Sequence, residues 1–131
     1  MPEDDRVKVA PGVRVARVYD GPAPDDGARV LVDRLWPRGL AKDAAALDDW
    51  CREIGPSAEL RTWFGHDPDR FEEFVVRYRD ELDEPVRAAA LAHLIELGKR
   101  GTLTLLTATK AVDVSHALVL ARLISRRVRG S

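Results

Sequence analysis

A carboxylate, two guanidinium groups and an indole follow an apolar run in one short segment, which reads VLVDRLWPRGL from residue 30 to residue 40. Arginine binds carboxylates and phosphates through paired hydrogen bonds, so Arg34 and Arg38 are candidate ligands for an anion. Asp33 would orient these arginines or act as a catalytic base, and Trp36 would form a flat wall beside them. The alternative is a salt-bridged turn, in which the indole packs on the core and proline and glycine set the backbone angles.

A second polar group follows another apolar run, TLTLLT, at residues 102–107. Its candidate ligand-binding residues are Thr107, Thr109 and Lys110. Ser115 begins the last predicted helix, whose free N–H groups favour an anion, and His116 is a candidate catalytic residue for proton transfer. The alternative is that Asp113 or Ser115 serves only as the N-cap of this helix.

A third candidate is His66, which lies in the segment RTWFGHDP at residues 61–68. It adjoins aromatic and cationic residues, so we expect it to line the same ligand site. Asp67 and Pro68 have a simpler explanation, because they fit the N-cap and the first position of a helix. His93 lies among alanines and leucines in a predicted helix and is interpreted as structural.

Several other chemistries are disfavoured. The single cysteine, Cys51, lies beside Trp50 on an apolar stripe, which predicts a core position rather than a nucleophile. The three histidines lack the paired spacing of a metal site. The chain has neither a P-loop nor a GxGxxG motif, so nucleotide binding of those kinds is disfavoured. We therefore expect no metal and no cofactor.

A sheet is needed to bring the candidate residues together. The unbroken apolar centres of residues 29–33 and 102–107 predict two strands that are covered on both faces. Residues 13–20 predict a further strand, near an edge or half-buried. In open α/β sheets, ligands bind beyond the carboxyl ends of parallel strands. We predict that the strands at 29–33 and 102–107 are parallel neighbours, which would place both polar groups in one crevice.

Helices are predicted between these strands from capping and periodicity. Their predicted starts are at Ser57 as an N-cap, at Asp67 and Pro68, at Pro85 and at Ser115. In the helix after Pro85, the residues predicted to pack inward are Val86, Ala89, Ala90, Leu94 and Leu97. Residues 47–55 stay open, because a helical stripe and an extended segment both fit them.

The interleaved strands and helices predict an α/β fold with a small, at least partly parallel sheet flanked by helices. A length of 131 residues and a hydrophobic content of 45% suit one compact domain. We place this domain at residues 13–131 and expect a flexible N-terminal segment at residues 1–12.

The charge and hydropathy of the chain narrow the range of partners. A formal net charge of -1 and a pI of about 6.3 disfavour non-specific nucleic-acid binding. No apolar run approaches the roughly 18 to 20 residues that span a bilayer, so we expect no membrane interaction. The single cysteine and the acidic N-terminus without an apolar signal segment predict a cytoplasmic protein. The oligomeric state stays open.

Two long blocks of the sequence resemble a known family. These are the Asp-Arg-x-Trp-Pro-Arg-Gly block at residues 33–39 and the Glu-Leu-Arg-x-Trp-Phe-x-His-Asp-Pro block at residues 59–68. The resemblance is to the YeaO-like family of bacterial uncharacterised proteins, domain of unknown function 488, and it runs from about residue 13 to residue 124. It implies an α/β fold but no established activity or cofactor. Wider relatives tend to carry Cys-His-Arg where this chain has Ser115, His116 and Ala117, which weakens any thiol-based mechanism.

Two functional hypotheses follow. In the first, a cytoplasmic protein binds or acts on a small anionic molecule, including phosphorylated ones, in a crevice at the carboxyl ends of the core strands. Arg34 and Arg38 would hold the anion, while Asp33 and His116 would move protons. In the second, the protein is a non-catalytic interaction module that docks a protein or nucleic-acid partner through an Arg/Trp surface.

Overall fold

The computed structural model describes residues 7–10 and 12–130, and a five-stranded sheet lies at the centre of this part of the chain. The strands are β1 (Val7–Ala10), β2 (Val13–Arg17), β3 (Ala28–Leu31), β4 (Asp49–Trp50) and β5 (Leu103–Thr107). Their order across the sheet is β1-β2-β5-β3-β4. β2, β5, β3 and β4 are mutually parallel, whereas β1 runs antiparallel to β2.

β3 and β5 are parallel neighbours, which confirms the predicted arrangement of the two apolar runs. Val30 pairs with Leu105. The ladder continues one residue beyond β3, where the Val32 N–H donates to the Leu106 carbonyl over 3.0 Å. Both strands end at the same edge of the sheet, so the polar segments that follow them begin side by side.

Five α-helices accompany the strands in the described residues. They are α1 (Lys42–Ala45), α2 (Ala58–Phe64), α3 (Phe71–Glu81), α4 (Pro85–Arg100) and α5 (His116–Arg129). Short 3-10 helices occur at Val18–Asp20, Arg52–Ile54, Pro68–Arg70 and Val112–Val114. The chain is therefore an α/β protein, as predicted. Every helix of residues 12–130 is too short or too polar to span a lipid bilayer.

Two predicted N-caps are present. The Ser57 hydroxyl accepts from the Leu60 N–H over 3.1 Å and begins α2. The Asp67 carboxylate accepts from the Asp69 N–H over 3.0 Å. Asp67 therefore caps the 3-10 turn that leads into α3, and α3 itself begins three residues later than the proline suggests.

The pleat of the central strands divides their side chains between two apolar layers. Val30 and Leu105 face the larger layer, which is closed by side chains of α2, α3, α4 and α5. Leu31 and Leu106 face a smaller layer, which is closed by the loop after β3 and by Trp50. Both faces of β3 and β5 are thus covered, which explains why these strands lack an alternating polar face.

The structure resolves the ambiguity at residues 47–55. Asp49–Trp50 form β4, and Arg52–Ile54 form a 3-10 turn, so the segment is not an α-helix. The residues that mimicked a helical stripe divide between the two layers: Cys51 and Ile54 join the larger one, and Trp50 joins the smaller one. Pairing with β3, which no local pattern reveals, decides the conformation.

The predicted inward face of α4 needs correction. Val86 and Ala89 are exposed. Ala89 lies opposite Leu91 and Leu94 around the helix, whereas Val86 lies in the first turn of α4, one turn before Ala90, which packs against the core. Within residues 1–12, Val7–Ala10 form β1, and residues 1–6 and 11 lie outside the described residues. The expected flexibility of this segment stays a prediction.

Candidate functional site

Asp33 ties together the ends of β3 and β5. Its Oδ1 accepts a hydrogen bond from the Thr107 hydroxyl, and its Oδ2 accepts one from the Ala108 N–H, both over 2.8 Å. The two donors come from the residue that ends β5 and the one after it, so the carboxylate sits across the gap between the strands. This arrangement holds the polar edge of the sheet in one conformation.

His116, the first residue of α5, lies close to the same carboxylate. Its Nε2 is 3.0 Å from the Val32 carbonyl oxygen and 3.4 Å from Asp33 Oδ1. Both of these oxygens accept hydrogen bonds, so Nε2 must carry the hydrogen. The edge of the ring contacts the Tyr78 ring, with 6.0 Å between centroids. The imidazole is therefore fixed in position and in tautomer.

The hydroxyl groups near the start of α5 are engaged locally. Ser115 is buried, and its hydroxyl donates to the Val112 carbonyl over 2.7 Å and accepts from the Leu118 N–H over 3.2 Å. The Thr109 hydroxyl accepts from the Ala111 N–H over 3.3 Å. These bonds shape the loop between β5 and α5, and they confirm the N-cap role of Ser115.

Both tryptophans near the site anchor the loop after β3. The Trp36 indole donates to the Leu40 carbonyl over 2.8 Å, and the Trp50 indole donates to the Asp33 carbonyl over 2.7 Å. The two rings meet edge to face, with 5.3 Å between centroids. The Tyr19 hydroxyl donates to the Arg38 carbonyl over 2.8 Å. The segment that carries the arginines is thus held by side-chain bonds from within the loop, from β4 and from the 3-10 helix that follows β2.

A cavity of about 460 Å³ opens beside this edge of the sheet; we call it the cleft. It is lined by three arginines, Arg34, Arg38 and Arg61, and by one carboxylate, Asp33. Among the described residues, none of these three guanidinium groups forms an ion pair, and the carboxylate already accepts two hydrogen bonds. The cleft therefore presents an excess of positive charge.

The cleft brings together nine of the ten residues predicted from the sequence. Its lining includes Asp33, Arg34, Trp36, Arg38, His66, Thr107, Thr109, Ser115 and His116. Lys110 is exposed and is not among the lining residues. His66 reaches the cleft through a left-handed backbone conformation, with a φ of 57° directly after Gly65 at 54°.

Sequence reasoning missed several lining residues. Arg61 and Tyr19 are the polar ones, and Phe64 and Phe74 form an apolar wall with their rings stacked 4.3 Å apart. Tyr19 follows β2 by two residues, so the rule that placed Asp33 and Thr107 at the strand ends applies to it as well. Arg61 lies in the same sequence block, residues 59–68, as the predicted His66, but its approach to the sheet depends on the packing of α2 against α3.

Cys51 lies outside the cleft lining and is buried. Burial, together with the smaller effect of the negative charges of Asp49 and Glu53, raises the pKa of its thiol from 9.0 to about 11. Tyr78 is also buried, which raises the pKa of its phenol well above its usual value of 10.0. Its protonated hydroxyl donates to the Ile54 carbonyl over 2.6 Å. Both groups are neutral parts of the core at physiological pH.

Metal-ligating side chains do not cluster in the described residues: no three His, Cys, Asp or Glu residues there come close enough to hold an ion. The pair His93 and Asp49, with 3.3 Å between Nε2 and Oδ2, is an exposed contact between α4 and β4.

Comparison with known proteins identifies the family. A family model described as "Inactive DUF488-N3 subclade" matches residues 12–130. The uncharacterised protein Rv3073c of Mycobacterium tuberculosis is 52% identical over 115 residues, which cover 88% of this chain and 95% of that protein. The uncharacterised protein YeaO of Escherichia coli is 42% identical over 109 residues, which cover 83% of this chain and 93% of that protein. No solved structure matches the chain significantly. The chain therefore belongs to the YeaO-like DUF488 family.

Proposed function

We propose that this protein binds a small anion, carrying a carboxylate or phosphate group, in the cleft, without transforming it. The observation that carries the proposal is the charge of the lining. Arg34, Arg38 and Arg61 face one cavity without an ion-pair partner among the described residues, and the one lining carboxylate is already bonded to β5 and its loop.

The electrostatics of the cleft favour an anionic occupant. Like charges that line one cavity repel one another, and a bound anion removes this repulsion while accepting charge-assisted hydrogen bonds. Arginine suits carboxylate and phosphate because its planar group offers two parallel donors. The N-terminal end of α5, a helix of 14 residues, also borders the cleft at Ser115 and His116 and adds a positive potential there.

Binding is favoured over catalysis by the state of the candidate catalytic groups. The Asp33 carboxylate and the His116 Nε2 are both engaged by neighbouring backbone or side-chain groups. The Ser115 hydroxyl is buried as a helix cap, and the single thiol lies elsewhere with a raised pKa. The matching family model is itself described as an inactive subclade. Each of these observations argues against a free acid, base or nucleophile in the cleft.

Thermal unfolding in sulfate and in chloride at matched ionic strength tests the proposal. A ligand at about ten times its Kd stabilises the folded state by about 1.4 kcal/mol, which raises the Tm of a domain of this size by about 4–7 °C. We expect this extra rise for the natural protein and for Lys110→Ala, whose side chain lies outside the cleft. We expect its loss in Arg38→Ala/Arg61→Ala.

Sulfate also stabilises proteins generally, because it is excluded from their surfaces. The comparison between variants removes that general effect, since exclusion acts on all of them alike. An equal rise in Tm for the natural protein and for Arg38→Ala/Arg61→Ala would refute anion binding in the cleft.

A further inference from the structure

A second cavity, of about 520 Å³, adjoins the cleft, and we call it the side groove. The two cavities share Arg34 and Leu35, which form the ridge between them. The side groove is also lined by Arg52 and by Val86 at the start of α4, neither of which lines the cleft. An occupant longer than a small anion would therefore extend from the cleft across the ridge into this groove.

The side groove exposes two large aliphatic side chains. Leu35 is 68% exposed and Val86 is 65% exposed, the two highest values among the large hydrophobic residues in the described part of the chain. Both line the same groove. Covering such side chains removes apolar area from water and favours an occupant that brings apolar groups of its own.

The charge of the side groove is also unbalanced. The Arg52 guanidinium lies 5.1 Å from the centre of the Trp50 ring, which supports it, and it forms no ion pair with a described residue. Arg87 differs, because it is bonded to the Gly55 carbonyl and to Glu84. Glu53 is the single acidic residue of the lining. Arg34 and Arg52 are thus both available to acidic groups of an occupant.

We propose that the cleft and the side groove together bind an acidic, extended peptide segment of another protein. An anionic side chain would occupy the cleft at Arg38 and Arg61, an aliphatic side chain would cover Leu35 and Val86, and a further acidic side chain would meet Arg52. The proposal rests on the anion binding proposed above and names its occupant. A peptide fits the two cavities together because it supplies the anionic group for the cleft along with aliphatic and further acidic groups for the side groove. Nucleic acid fits less well because it has no aliphatic side chains.

Peptide arrays test this proposal. Each array fixes a central phosphoserine or glutamate and randomises four positions on either side. Binding of the labelled protein to each peptide is measured, which gives the preferred residue at each position. We expect Asp or Glu and Leu, Ile, Val or Met to be enriched on one side of the central residue. Arg52→Glu should lose the acidic preference and keep the aliphatic one, and Val86→Ser should do the reverse. Arg122→Glu, a charge reversal on the exposed face of α5, should change neither.

The outcomes separate this proposal from the one on which it rests. Calorimetric titration with inorganic phosphate, for the natural protein and for Arg52→Glu and Val86→Ser, reports on the cleft alone and should give equal affinities. Phosphate binding with no flanking preference, or with preferences that neither variant changes, would overturn the peptide proposal and leave anion binding in place. The absence of both phosphate binding and peptide retention would overturn both proposals.

Discussion

Asp33 is the residue on which the geometry of the cleft depends. Its carboxylate joins β3 to β5 through the Thr107 hydroxyl and the Ala108 N–H, and it lies within 3.4 Å of the His116 ring. The sequence predicted its place beyond a core strand, because an apolar run that ends abruptly in polar residues marks the carboxyl edge of a sheet. What the sequence could not give is its role, since the donors that occupy the carboxylate lie more than seventy residues away.

Replacing Asp33 with alanine should destabilise the protein. The change leaves the Ala108 N–H and the Thr107 hydroxyl without their acceptor, and a partly buried donor that loses its partner costs about 1–3 kcal/mol. We expect the free energy of unfolding, measured in urea, to fall by about that amount. Asp80→Ala, on the exposed face of α3, is the matched control and should change stability by less than about 0.5 kcal/mol. A similar small change for Asp33→Ala would show that its hydrogen bonds are replaced by water.

Ionisation of the Cys51 thiol should lower the stability of the folded protein at high pH. Folding raises its pKa from 9.0 to about 11, chiefly by burial, so the thiol prefers to ionise in the unfolded state. Its contribution to stability is complete below pH 9 and declines as the pH rises from 9 through 11. The difference in the free energy of unfolding between the natural protein and Cys51→Ala should therefore change over that range in the direction that disfavours the natural protein. A difference that is constant from pH 8 to pH 11 would contradict the raised pKa.

At the scale of elements, sequence patterns predicted a strand or a helix start correctly where residues close together in the chain determine it. Continuous apolar runs predicted β3 and β5 because both of their faces are covered, and side-chain caps predicted the starts of α2 and α5. The signals failed at residues 47–55, where the apolar residues have the spacing of a helix but pack into two separate layers. The pairing of Asp49–Trp50 with β3 makes this part of the segment a strand. They failed again at Val86, because the position along α4 at which contact with the core begins depends on the neighbouring elements.

Gly27 precedes β3 at a point where the main chain packs closely against Thr102, and a substitution there tests that contact. Its φ is +63°, and a Cβ built on it would lie 2.2 Å from the Thr102 carbonyl oxygen, which itself accepts from the Ala28 N–H. Gly65 has a similar φ of +54°, but its Cβ would meet nothing closer than 3.7 Å. Gly65→Ala should cost about 1–2 kcal/mol for the backbone conformation alone. Gly27→Ala should cost more than that, because main-chain atoms must move.

The measurement is a pair of urea unfolding curves under the same conditions. If the two substitutions have equal effects on the free energy of unfolding, the entry to β3 tolerates a side chain and the close contact with Thr102 does not constrain the sheet.

At the scale of the whole molecule, the parallel strands end at one edge of the sheet, and segments distant in sequence meet there. Topology predicted that Asp33, Thr107 and His116 would meet, because strand ends and a helix start share that edge. Arg61 was missed since α2 reaches the cleft through the stacking of Phe64 on Phe74, a contact between helices that no local pattern encodes. The net charge of the chain is -1, so the positive cleft reflects the placement of charges and not their total.

Calorimetric titration with inorganic phosphate at constant ionic strength tests the central claim most directly. We expect saturable binding at one site, weakened at least about tenfold in Arg38→Ala/Arg61→Ala, which corresponds to about 1.4 kcal/mol. Arg100→Ala/Arg129→Ala removes the same charge from the ends of α4 and α5 away from the cleft and should bind like the natural protein. Binding that is absent from the natural protein, or equally strong in both double variants, would contradict an anion site formed by the arginines of the cleft.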